Sequence, residues 1–172
     1  MAYSLEDFCS ALSHDLQTLP LESAIQNGAR NLTQLLANPA FVSAWFGPDM
    51  PTKRELYHDV ATDFHVFAHL QKAGKAGAPH SHGASWAIYG NARTFTDMTE
   101  YRRVNPSTEP HTVLEVSERY RLMPTQTRAY GPHLIHSTSH PEEAWVIRVT
   151  GTNLDVLPRF HFKKGQDQLI EA

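Results

Sequence analysis

The first part of the chain has the hydrophobic spacing of two helices. Apolar residues recur there at steps of three and four, which is the period of one face of an α-helix. The first face comprises Leu5, Phe8, Leu12, Leu16 and Leu19, and the second comprises Ile25, Ala29, Leu32 and Leu36. Pro20 lies between the two segments and ends the first helix. We therefore predict helices in residues 1–46, with one further turn at 41–45.

From about Glu55 the apolar period changes to two, which is the period of a half-buried strand. The best strand candidates are residues 65–70, 115–122 and 145–149. Gly, Pro and Asn separate these segments at short intervals, as in a sandwich or jelly-roll barrel. The sequence contains no internal repeat and no long linker. The pattern predicts a mainly β chain that forms a single domain over residues 1–172, with helices of 1–46 packed on a barrel of 55–163.

Composition and charge narrow the classes of function. The chain carries a formal net charge of -3 and has no long basic segment. Nucleic-acid binding is therefore not expected, because phosphate contacts need clustered Lys and Arg. No segment approaches the roughly 20 consecutive apolar residues of a membrane span, and the acidic N-terminus lacks the features of a signal peptide. Cys9 is the only cysteine, so no internal disulfide can form, and a reducing, cytoplasmic location is expected.

Histidine is unusually frequent, with 11 in the chain. His80 and His82 are two residues apart, so on a strand their side chains point the same way and two imidazoles can bind one ion. A third ligand must come from a distant strand. His136 is favoured over His133, because the preceding Gly131-Pro132 predicts a turn at His133. Three protein ligands leave coordination positions open, as in catalytic sites; the alternative is that these histidines lie on a solvated strand.

Other polar side chains are candidates for surrounding such a site. Arg54 and Arg148 are the candidates for binding an anionic substrate, because a guanidinium can bind a carboxylate through two hydrogen bonds. The alternatives are a solvated loop position for Arg54 and an outward-facing strand position for Arg148. His65 and His69 share a strand face, which we expect to be the outer one. The residues expected to hydrogen-bond the ligands are Glu118, Tyr120, Tyr130 and His140.

Two segments resemble a known family. The stretch from Pro79 to Gly90, PHSHGASWAIYG, resembles the first metal-binding motif of the cupins, in the form found in cysteine dioxygenase and 3-mercaptopropionate dioxygenase. Residues 134–136 (Leu-Ile-His) resemble the third-ligand motif of these thiol dioxygenases. The helical N-terminus, the barrel and residues 151–154 (Gly-Thr-Asn-Leu) extend the likeness over most of the chain. Positions 84–86 contain no carboxylate, as in the thiol dioxygenases, which use three neutral histidines.

The resemblance implies a cupin double-stranded β-helix that holds one divalent metal ion through His80, His82 and His136. Fe(II) is favoured over Zn, Ni or Mn. The implied activity is that of a mononuclear non-haem iron dioxygenase, which uses O₂ and a small-molecule substrate, either a thiol or another small anion. The chain departs from the family at Arg148 and Thr150, where we align a His and a Tyr. The alternatives are a cupin isomerase, lyase or hydrolase, or a cupin that binds a metal or ligand without turnover. A homodimer is an open alternative to a monomer.

Overall fold

The computed structural model describes residues 2–157, 159–163 and 166–170. Its helices are α1 (Leu5–Thr18), α2 (Leu21–Leu36) and α3 (Pro39–Trp45), and a short 3-10 helix spans Leu154–Val156. Its strands are β1 (Lys53–His58), β2 (His65–Gln71), β3 (Lys75–Ala76), β4 (Ala87–Arg93), β5 (Thr96–Arg103), β6 (Leu114–Leu122), β7 (Thr127–Tyr130), β8 (Ile135–His140), β9 (Ala144–Thr150), β10 (Arg159–Lys163) and β11 (Gln166–Ile170). Within these residues, no helix has the length and apolar character needed to cross a membrane.

The N-terminal helices form where the hydrophobic spacing predicts them. The Ser4 hydroxyl accepts a hydrogen bond from the N–H of Asp7, and the Asp7 carboxylate accepts one from the N–H of Ser4 at 2.8 Å. This reciprocal pair satisfies two N–H groups that a helix start otherwise leaves without partners. Pro20 separates α1 from α2, and Asn38 caps α3 with its side-chain oxygen. The predicted helical segment is therefore confirmed over the described residues.

The main strands form two facing antiparallel sheets with the connectivity of a jelly roll. One sheet has the order β1-β2-β9-β4-β7 and the other has the order β3-β8-β5-β6. The strands from β2 to β9 are thus shared equally between the sheets, and the chain crosses repeatedly from one to the other, as in a jelly roll. β10 and β11 pair as a hairpin. The predicted mainly β fold, a jelly-roll barrel with an N-terminal helical segment, is confirmed.

The central strands of the five-stranded sheet, β2, β9 and β4, are buried on both faces. Ile88 and Ile147 lie in an apolar core that the sheet shares with α1 and α2. Their strand neighbours Tyr89 and Val146 point the other way and pack in a second core with Met98 of the facing sheet. Because side chains alternate along a strand, each central strand presents one face to the helices and one to the interior between the sheets.

Gly90 allows α2 to lie close against the sheet. A Cβ atom at this position would lie 2.7 Å from Cδ1 of Leu36 and 3.2 Å from Cγ2 of Ile147. Both neighbours are buried in the helix-side core, so a side chain at position 90 would require that core to repack. The absence of a side chain at Gly90 therefore sets the distance between helix and sheet, next to the position from which Tyr89 enters the interior.

Candidate metal centre

Three histidines from two distant parts of the chain converge between the sheets. His80 and His82 lie in an extended segment before β4, and His136 lies on β8. The backbone N–H groups of His80 and His136 each donate to the other residue's carbonyl at 2.9 Å, which holds the two ring centroids 4.6 Å apart. The centroids of His82 and His136 are 4.9 Å apart. One nitrogen from each of the three rings lies within 4.8 Å of the other two.

The local backbone around His80 and His82 differs from the prediction. The sequence predicts that both lie on a strand, but His80 makes only two isolated bridges, to His136 and His161, and His82 precedes a turn at residues 83–84. The reason is local: Pro79 has no N–H for a strand ladder, and Gly83 adopts a φ of 57° that starts the turn. The two side chains nevertheless point to the same place, with ring centroids 5.4 Å apart.

The donor set fits a divalent metal ion. Ligands that bind one ion at about 2.1 Å lie roughly 3 to 4 Å from each other, so small side-chain movements bring these three nitrogens into range. His136 is fully buried, and within the described part of the chain neither of its ring nitrogens makes a hydrogen bond of normal geometry. A buried polar atom without a partner is costly, and a metal ion would satisfy one of these nitrogens. Burial and the proximity of His80 lower the pKa of His136 to about 3, so the ring is neutral, the form that binds metals.

Neighbouring groups orient the candidate ligands. Nδ1 of His80 lies 3.0 Å from the carbonyl oxygen of Ala78, so it donates there, and Nε2 is the nitrogen that could bind an ion. The Tyr89 hydroxyl lies 3.3 Å from Nε2 of His82. The Tyr130 ring stacks on His136 with a centroid separation of 4.9 Å and an angle of 6°. These contacts restrict the rotation of all three imidazoles.

Of the residues expected to hydrogen-bond the candidate ligands, Tyr130 contacts the three-histidine cluster, whereas Glu118 lies away from it. Tyr130 contacts His136 and hydrogen-bonds the Tyr120 hydroxyl, and Tyr120 in turn donates to Glu100 at 2.8 Å. No pattern in the sequence indicates this role for Glu100. Glu118 instead accepts from Arg128 at the exposed surface. Tyr120 and Tyr130 therefore connect His136 to the polar outer edge of the barrel.

A cavity of about 120 Å³ adjoins His80. Arg148 lines it because this residue pairs with Tyr89 across β9 and β4 and faces the interior with it. Its Nε atom is buried and makes no hydrogen bond to the described residues. The other lining residues are His69, Gln71, Lys75, Gly77, Tyr89, Thr96, Thr138, His140 and Val146. Among the described residues, the cavity therefore combines two cationic side chains with no carboxylate.

His69 and His140 belong to this cavity, which corrects the prediction that His69 faces outward. The residues that alternate with His69 on β2 pack against the helices, so His69 itself faces the interior. The pKa of His69 lies well below its usual value, mainly because the ring is buried and to a smaller extent because the positive charge of Arg148 is close. Burial also lowers the pKa of His140 to about 4. Both rings are therefore neutral at physiological pH.

Three other residues have clear positions. Arg54 lies with its guanidinium 6.0 Å from the centroid of the Trp45 ring and is not brought to the cavity. His133 adopts a φ of 63° in a turn, and its N–H donates to the Gly83 carbonyl. It is therefore not part of the three-histidine cluster. His161 stacks on His80 with centroids 5.4 Å apart, a contact that no spacing in the sequence indicates.

Comparison with known proteins gives partial structural likenesses only. No protein-family model and no curated protein matches the sequence. KdgF from Halomonas sp. is 16% identical, with a TM-score of 0.45 over 64% of this chain and 89% of that one. A cupin superfamily protein from Desulfitobacterium hafniense is 9% identical, with a TM-score of 0.45 over 65% and 87% of the two chains. A variant of salicylate 1,2-dioxygenase from Pseudoaminobacter salicylatoxidans is 10% identical, with a TM-score of 0.44 over 58% and 24%. At these scores the likenesses define neither a family nor an activity for this chain.

Proposed function

We propose that this chain is a metal-dependent enzyme that binds one divalent ion through His80, His82 and His136 and acts on a small anionic substrate. The observation that carries the proposal is the adjacency of two features. Three imidazole nitrogens lie within 4.8 Å of one another, and the cavity beside them contains Arg148 and no carboxylate among the described residues. A candidate cation site and a candidate anion site therefore adjoin each other.

The ligand set indicates which metals to test. Imidazoles bind Fe, Zn, Ni and Cu, and three neutral ligands leave the full charge of a divalent ion available to an anion. The resemblance to the thiol dioxygenases favours Fe(II). Bound there, Fe(II) would supply redox chemistry with O₂, whereas Zn or Ni would supply Lewis-acid chemistry.

The chain's own residues would bind and orient the substrate. The Arg148 guanidinium, held in the cavity by its strand, would bind a substrate carboxylate through charge-assisted hydrogen bonds. The Tyr89 hydroxyl, between His82 and the cavity, would donate to the substrate's reacting end. The cavity of about 120 Å³ admits only a few non-hydrogen atoms beside the metal. Small thiol carboxylates are therefore the first substrates to test.

A second reaction class is favoured by one specific observation. Arg148 stands where we align a histidine of the thiol dioxygenases, and the structure directs this guanidinium into the cavity. A fixed positive charge in place of a neutral side chain changes which substrates and transition states the cavity stabilises. A lyase, isomerase or hydrolase acting on a small carboxylate with Zn, Ni or Mn is therefore the alternative.

The proposal is tested by elemental analysis of the purified chain and by O₂ uptake. We expect close to one equivalent of metal at the three-histidine cluster, and His82→Ala should remove it. His14→Ala, on the exposed face of α1, is the control. O₂ consumption with a small thiol supports the dioxygenase, and turnover of a carboxylate without O₂ supports the alternative. A metal content that His82→Ala leaves the same as in the wild-type chain would refute the centre itself.

A further inference from the structure

The β1–β2 hairpin carries a second group of metal-binding side chains. One ligand atom each from Glu55, His58 and His65 lies within 4.8 Å of the others, and Asp63 adjoins both histidines. His65 and His69 are four residues apart on β2, which is roughly 13 Å along a strand. The group is therefore separate from the three-histidine cluster and its cavity.

A β-bulge places these side chains on one face. Residues three apart on a regular strand point to opposite faces, so Glu55 and His58 would normally diverge. The register of β1 against β2 shifts between Glu55 and Tyr57, and the additional residue restores a common face. His58 then lies opposite His65, with the two rings stacked at a centroid distance of 4.0 Å. The hairpin thus places the two imidazoles face to face, and a rotation of the exposed His58 ring would turn its Nε2 towards an ion bound by His65.

The contacts divide the group into ligands and an orienting residue. Oε1 of Glu55 lies 2.6 Å from Nδ1 of His65, which is a hydrogen-bond distance and leaves Nε2 of His65 for an ion. A carboxylate in this role is the usual partner of a metal-bound histidine. Oδ1 of Asp63 lies 3.8 Å from Nε2 of His65 and 3.0 Å from Nε2 of His58. Both separations are within the reach of one ion with bonds of about 2.1 Å.

The Asp63 carboxylate is held in position from the opposite side. Its Oδ2 accepts a hydrogen bond from the Thr152 hydroxyl at 2.5 Å, and its backbone N–H donates to the Asp59 carbonyl at 2.8 Å. Oδ1 is thereby directed to the two histidines. The His65 side chain is only 9% exposed, whereas those of His58 and Asp63 are 41% and 60% exposed, so an ion could enter from solvent and be bound against a fixed ligand.

We propose that His58, Asp63 and His65 bind a second divalent transition-metal ion, with Glu55 orienting His65. This site does not depend on the three-histidine centre. Zn²⁺ is the probe, because mixed imidazole and carboxylate ligands suit it.

The test is a zinc titration of the full chain after treatment with a chelator, followed by calorimetry and elemental analysis. The wild-type chain should bind two equivalents. His58→Ala and Asp63→Asn should each bind one, whereas the control His14→Ala should still bind two. Glu55→Gln should keep both equivalents while the affinity of one falls roughly 10- to 100-fold.

The outcomes separate the two sites. If the chain binds a single zinc that His58→Ala removes and His82→Ala retains, the hairpin site stands and the three-histidine centre fails. If the zinc content is the same in the wild-type chain, His58→Ala and Asp63→Asn, the hairpin site is overturned. In that case the four side chains form hydrogen bonds and ion pairs only.

Discussion

Replacing Arg148 with Met tests the anion site quantitatively. Met keeps much of the side-chain volume and removes the charge. A hydrogen bond to a charged group contributes about 1.5–3 kcal/mol, and each 1.4 kcal/mol changes an equilibrium tenfold. We therefore expect Arg148→Met to weaken carboxylate binding roughly 10- to 150-fold. Without a bound anion the variant should be no less stable than the wild-type chain, because the substitution also removes a buried Nε atom without a hydrogen bond to the described residues.

The assay is thermal unfolding of the metal-loaded chain at increasing acetate concentrations. A ligand at 100 times its Kd stabilises the folded state by about 2.7 kcal/mol. For a chain of this size, each kcal/mol of added stability raises Tm by roughly 2–4 °C. Arg148→Met should lose this rise at the same acetate concentrations. Arg54→Met is the matched control, because Arg54 stacks on Trp45 and does not line the cavity. The anion site at Arg148 is refuted if both variants respond to acetate as the wild-type chain does, or if Arg54→Met loses the response equally.

Three further results are expected. His82→Ala should lose the metal ion of the three-histidine centre while its far-ultraviolet circular dichroism stays close to that of the wild-type chain; a loss of the fold would contradict a role confined to the centre. Gly90→Ala should lower the free energy of unfolding by about 1–3 kcal/mol, because the new methyl group meets Leu36. Gly47→Ala, where a Cβ has nothing within 4 Å, should change it by less than about 0.5 kcal/mol in urea titrations. The pKa of His140 is lowered from 6.5 to about 4 in the folded chain. Between these two pH values the unfolded chain binds a proton that the folded chain does not, so the free energy of unfolding falls as the pH drops from about 6.5 to about 4. His140→Asn should reduce this slope by up to about 1.4 kcal/mol per pH unit, and an unchanged slope would show that other groups cause it.

The secondary structure follows largely from local features of the sequence. The three-and-four spacing before Pro20 and the alternation in 145–149 give α1 and β9 within a residue or two of their observed bounds. Local rules also explain the turn at His133, since Gly131-Pro132 precedes it. These features depend on neighbouring residues in the chain, which is why sequence reasoning identifies them.

The interior was harder to predict because it depends on which face of the sheet the helices cover. Alternation on β2 separates His69 from Val66 and Leu70 but does not say which set faces the interior. The helices pack on the apolar set, so the polar set lies between the sheets. The same packing directs Arg148 inward, which the sequence left open. His161 contacts His80 through the later β10 strand, and no pattern in the sequence connects these two residues.

Because the central strands of the five-stranded sheet are buried on both faces, few insertions or deletions can be tolerated within them. On β9, Ile147 faces the helices and Arg148 faces the cavity. Inserting or deleting one residue upstream in the strand would exchange these faces, placing a guanidinium in the apolar core and an isoleucine beside the candidate metal centre. Changes in length are expected to be tolerated instead in exposed connections such as residues 104–113, where an added residue shifts no paired strand.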